Sequence, residues 1–174
     1  MGRHLHISRH MTREQASDSA RARPDPAFAT ILLGIGLGGF FDGIVIHQIL
    51  QWHHMLSAHT PVDTVDGLRL NTLADGLFHA STWVFTVVGV VLLYRQVRDG
   101  ASLRWGGLAG GLLAGWGGFN VVEGLVNHQL LGLHHVRPGP DEVLWDVGFL
   151  VWGAVMMIIG VVTLARQPRV RGAE

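Results

Sequence analysis

The sequence has no cysteine, so disulfides, thiolate ligands, iron–sulfur clusters and cysteine nucleophiles are excluded. It has no lysine either. Its 13 basic residues are all Arg, 13 acidic residues balance them, and the formal net charge is zero with His neutral. A chain without excess positive charge is not built to bind nucleic acid. Charge of either sign is scarce, at 15% of 174 residues, while 48% are hydrophobic and 24 are glycine. That balance suits a polytopic membrane protein better than a soluble globule, and the length suits one domain. No continuous apolar run precedes Ala27, so residues 1–26 do not read as a signal peptide. With their Arg residues, Pro24 and Pro26 they read as a disordered cytoplasmic tail in which His4, His6 and His10 are solvated.

Four apolar segments follow, 27–55, 67–95, 104–135 and 141–165, before a short cytoplasmic tail of 166–174. Each is long enough for the roughly 20 residues that cross a bilayer. Eleven of the 13 Arg lie in the N-terminal tail, the middle loop (Arg95, Arg98, Arg104) and the C-terminal tail. The positive-inside rule then places both termini and the middle loop in the cytoplasm and the other two connections outside. The expectation is an all-α protein, an integral membrane four-helix bundle.

Histidine is the compositional excess: there are 11, eight of them between positions 47 and 135. They follow an internal repeat. Asp42-Gly43 leads through three residues to His47-Gln48 and on to His53-His54; Glu123-Gly124 leads in the same way to His128-Gln129 and His134-His135. Downstream, Leu73–Phe78 aligns with Leu144–Phe149, and His79 falls opposite Leu150. Segments 1–2 and 3–4 therefore read as two copies of one helical hairpin. An even number of spans per copy makes the repeats parallel, about an axis along the membrane normal.

Ionisable side chains inside a span are costly and mark a functional interior. At the α-helical rise, His47 lies about 10 Å below His54 and Asp42 about 7 Å below His47, so ligands to one metal must come from several helices at one depth. Counting inward from the outer ends gives a layer of His47, Asp75, His128 and Asp146. Asp42 and Glu123 lie deeper, with His79 able to join them. His53, His54, His134 and His135 form an outer rim of ligands or a path for the metal. Gln48, Asn120, Asn127 and Gln129 are hydrogen-bonding partners rather than ligands. Nitrogen and oxygen donors without sulfur suit copper, zinc, iron or manganese. Glycines at small-xxx-small spacing (Gly34, Gly38, Gly39 and Gly43 on segment 1; Gly106, Gly107, Gly110, Gly111, Gly115 and Gly118 on segment 3) predict close approach of helices 1 and 3, or a homodimer through these faces.

The runs GFFDGIVIHQILQWHHM and FNVVEGLVNHQLLGLHHVRP, with DGLFHA and WDVGF, resemble a bacterial family of predicted membrane proteins, the domain of unknown function numbered twenty-two forty-three. The resemblance covers about residues 27 to 165 and implies a four-span protein of the bacterial inner membrane. It also points to respiratory-oxidase assembly factors as partners, and so to copper or haem.

Four functions compete on these grounds. The first is metal binding or handling at a site open to the extracytoplasmic side. The second is a metalloenzyme, hydrolase or oxidase, on the same ligands. The third is a b-type haem protein with His47 and His128 as axial ligands. The fourth is a non-catalytic assembly protein whose polar residues specify helix packing.

Overall fold

A computed structural model describes residues 25–168; the expectations for the two tails fall mostly outside them. The described chain is all-helical. Helix α1 (Ala27–Phe41) runs directly into a wider π-helical segment, π1 (Asp42–Leu50). Helix α2 (Val65–Arg98) follows a non-helical connection, then α3 (Trp105–Glu123), which again widens into π2 (Gly124–Leu130), and finally α4 (Glu142–Ala165). The ends follow local chemistry. The Asp25 carboxylate accepts the backbone N–H of Ala27, and the Thr64 hydroxyl accepts that of Gly67, each satisfying a first-turn donor. Arg95 and Arg98 sit in the last turn of α2, where the helix dipole favours positive charge.

Three helices are long and apolar enough to cross a membrane: Ala27–Leu50, Val65–Arg98 and Glu142–Ala165. The expected fourth span does form a continuous helix, Trp105–Leu130, but is not among those three. Its eight glycines dilute its hydropathy, because it trades side-chain bulk for close packing.

The helices pack in the order α2, α1, α3, α4, with the α1–α3 pair in the middle and no comparable contact between α2 and α4. The radial pattern is inverted relative to a soluble protein. Only six hydrophobic residues are buried, against twelve polar or charged ones. Trp83, Val87 and Val91 on α2, and Val151, Val155 and Ile158 on α4, face outward. Water would penalise such a surface, whereas lipid is its natural solvent.

Glycine makes the central contact. A Cβ on Gly34 would run into the carbonyl oxygen of Leu112, and one on Gly115 into the carbonyl of Ile31 and, at 2.9 Å, the Cα of Gly34. Gly117 and Gly160 do the same between α3 and α4. Close approach of helices 1 and 3 is thus realised within one chain. We expect Gly115→Leu to cost about 3 kcal/mol or more, since the obstructing atoms are backbone and cannot swing aside. Gly107→Leu, where nothing lies within 4 Å, serves as the control. Thermal unfolding of both variants in detergent checks this.

Candidate metal centre

The site is built where α1 and α3 widen. In an α-helix a residue five positions on is rotated about 140° away. In a π-helix the i→i+5 hydrogen bond stacks those two residues instead. Asp42 and His47 are five apart, as are Glu123 and His128, and both pairs meet: Asp42 Oδ2 lies 3.2 Å from His47 Nε2, and Glu123 Oε1 lies 3.1 Å from His128 Nε2. The two depths expected for these acids and histidines collapse into one, because the α-helical rise does not apply here. Gly43 and Gly124, each following the acid, let α2 and α4 close in: the His79 ring lies against Gly43, and Leu150 against Gly124.

Beyond each π segment the chain reverses through a left-handed residue, Gln51 (φ 50°) and Gly132 (φ 56°) at corresponding positions. The reversal sends the first histidine of each His-His pair inward. His53 is 3% exposed and His134 0%, so these two are interior groups and not the rim that helical counting predicts. They cross-connect the two halves. His53 Nδ1 donates to the carbonyl of Val136 (2.8 Å), and His134 Nδ1 to the carbonyl of Met55 (3.1 Å). Their rings stack with centroids 4.3 Å apart and planes 13° from parallel. Burial, with the imidazoles of His134 and His47 beside it, holds His53 well below the ordinary histidine range, in its neutral form.

The second histidine of each pair stays near the surface and binds the acid on the neighbouring helix: His54 Nδ1 to Asp75 Oδ2 and His135 Nδ1 to Asp146 Oδ2, both at 2.7 Å. Asp75 is fully subscribed. Its Oδ1 accepts His47 Nδ1–H (2.9 Å) and the backbone N–H of Met55 (2.8 Å), and its Oδ2 also accepts Gln48 Nε2–H (3.1 Å). Asp146 repeats this with the backbone N–H of Val136 (2.9 Å) and Gln129 Nε2–H (3.4 Å), while His128 Nδ1 stands 3.5 Å away. Both aspartates therefore lie behind the histidines, on their Nδ1 side, and Asp42 and Glu123 are the acids on the Nε2 side. At His47 the bond to Asp75 fixes the proton on Nδ1 and leaves the Nε2 lone pair as the ligating atom, whereas His128 Nδ1 has no hydrogen-bond partner.

Two groups of donors come within 4.8 Å of one another, all buried: His47 with His53 and His134, and Glu123 with His128 and His134. His79 is in neither group. Several buried atoms here have no hydrogen-bond partner: Asp42 Oδ2, Glu123 Oε2, and the Nε2 atoms of His47, His53 and His128. Glu123 Oε1 stands 3.0 Å from His134 Nε2. Donors about 2.0–2.2 Å from a tetrahedral ion lie about 3.3–3.5 Å from one another, close to these acid–imidazole spacings. Phe78 backs His47 and Phe149 backs His128, with centroids at 5.7 and 5.4 Å. Over the connections, the Arg137 guanidinium stacks on Trp52 and Trp145.

Two contributors had no side-chain signal in the sequence, and a third, Asn71, is a polar residue within the second segment. The carbonyls of Met55 and Val136 are marked only by each following a His-His pair. Asn71 holds the first connection by accepting Leu56 N–H and donating to the carbonyl of Thr60.

Fold and site together define an all-helical membrane protein whose interior carries a buried histidine–carboxylate cluster able to hold a metal. The chain belongs to the family described as Predicted membrane protein (DUF2243), which it matches over residues 29–167. Comparison with curated proteins and with solved structures returns no match.

Proposed function

We propose that this protein binds a transition metal within the membrane, at the junction of two hairpins, α1–α2 and α3–α4, related by a two-fold axis between α1 and α3. The observation that carries this reading is the set of buried imidazole and carboxylate atoms that face one another without hydrogen-bond partners. Burying such atoms unpaired costs each its full desolvation penalty, whereas a bound cation satisfies them together. The equivalent contacts of His47 and His128, of His53 and His134, and of Asp75 and Asp146 support the two-fold reading.

The cluster lies at the ends of the helices opposite the Arg-rich middle loop. By the positive-inside rule that is the extracytoplasmic end, with both termini in the cytoplasm. An ion fits the interior better than a haem between His47 and His128, because the stacked rings of His53 and His134 occupy the space a macrocycle would need.

Protein purified in detergent without chelator should carry stoichiometric metal by elemental analysis. The His47→Ala/His128→Ala double variant should lose it while keeping its helical circular dichroism. Metal-free protein of native fold, after reconstitution with zinc, copper, iron and manganese in turn, would refute the reading.

A further inference from the structure

We infer that the cluster holds two divalent ions rather than one, in inequivalent halves; this rests on the metal-binding reading above. One ion sits on Glu123, His128 and His134, and the other on Asp42, His47 and His53.

The inward-facing donors carry the inference. His53 and His134 each give Nδ1–H to a backbone carbonyl, which can only accept, so each neutral ring turns an Nε2 lone pair inward. Those of His47 and His128 face Asp42 and Glu123. Four Nε2 atoms and two carboxylates exceed what one tetrahedral ion accepts, and divide into two sets of two imidazoles and one acid, each leaving a position open. The unpartnered atoms fall on both halves: Asp42, His47 and His53 on one side, Glu123 and His128 on the other.

The halves differ by one methylene. The longer Glu123 reaches both His128 (3.1 Å) and His134 (3.0 Å) with one oxygen. Asp42 approaches His47 alone (3.2 Å), and the donors gathered around His53 are His47 and His134 without the acid. The Glu half is therefore the tighter site and fills first.

The test is a titration of chelator-stripped, detergent-purified full chain with cobalt(II), followed by its visible ligand-field absorption, with zinc competition and elemental analysis for stoichiometry. Two equivalents should bind per chain in two resolvable steps. His47→Ala and the milder Asp42→Asn should each bind one, with the tighter step intact. Glu123→Asp should weaken the tighter step at least tenfold and leave the count at two. A single equivalent in the unmodified chain overturns the inference and leaves metal binding standing. Loss of both equivalents in Asp42→Asn, with unfolding temperature unchanged, overturns the division into halves. No binding by any form overturns the metal-binding reading as well.

Discussion

Substituting His134 by alanine is expected to weaken metal binding at the Glu123–His128 half by at least about 10³-fold, a larger effect than any other single histidine change. His134 is the one donor that lies within reach of both gathered groups, that with His47 and His53 and that with Glu123 and His128. It is fully buried, and its Nδ1–H bond to the carbonyl of Met55 fixes the first connection, which carries His53 and His54. Its loss removes a ligand directly, leaves Glu123 Oε1 without its 3.0 Å partner, and loosens the chain that presents His53. Structural zinc sites bind with about 10–16 kcal/mol spread over their ligands, so losing one ligand should weaken binding by at least about 10³-fold. Equilibrium dialysis against buffered zinc measures this. His135→Ala is the comparison: that ring sits behind Asp146, near the surface, and its removal should weaken binding far less. Equal losses in the two variants would mean that His134 acts through general stability and not as a ligand.

Much of this site was legible in the sequence, but its geometry was not. The repeated order of acid, glycine, three residues and histidine singled out all four members of the two acid–His pairs. The alignment of Asp75 with Asp146 marks them as ligands in one layer with His47 and His128; in the structure both lie on the Nδ1 side of those histidines. Counting at the α-helical rise misplaces the depths of these residues through 42–50 and 124–130. There the helix widens, and residues five apart stack. The clue was present: a five-residue acid–histidine spacing, kept in both copies, suits a π-helix and not an α-helix. The inward turn of His53 and His134 was hidden for another reason. It depends on a left-handed residue at Gln51, where side chains seldom adopt that conformation, and only Gly132 in the other copy hints at it. Membrane character came from composition and survives in the fold as an apolar exterior around a polar core. The glycine-rich third helix shows where hydropathy alone falls short. It is held by backbone proximity to its neighbours, which hydropathy does not measure.

Asp75 should divide folding from metal binding. Asp75→Ala is expected not to yield folded protein, whereas Asp75→Asn should fold and bind metal 10–100-fold more weakly. The carboxylate accepts four hydrogen bonds: from His47 Nδ1–H, Gln48 Nε2–H, His54 Nδ1–H and the backbone N–H of Met55. That is the full accepting capacity of a carboxylate, so Asp75 has nothing left to offer a metal. Alanine strips all four donors of their acceptor at a position 1% exposed. At about 1–3 kcal/mol for a buried donor left unsatisfied, the loss at His47, with smaller losses at the part-buried Met55 and His54, is a large share of the roughly 5–15 kcal/mol stability of a whole domain. Asparagine keeps one acceptor oxygen, enough for His47 and Met55, but turns an amide toward His54 and Gln48 and removes the carboxylate that orients His47. Lost outer-shell carboxylates of this kind typically cost 10–100-fold in affinity. Folded yield by size-exclusion chromatography and zinc affinity by competition separate the two effects. Asp42→Asn provides the contrast: Asp42 Oδ2 has no hydrogen-bond partner to lose, so its amide variant should fold as well as the unmodified chain and differ only in metal binding. If Asp75→Asn instead bound metal normally while Asp42→Asn failed to fold, the assignment of orienting and ligating acids would be reversed.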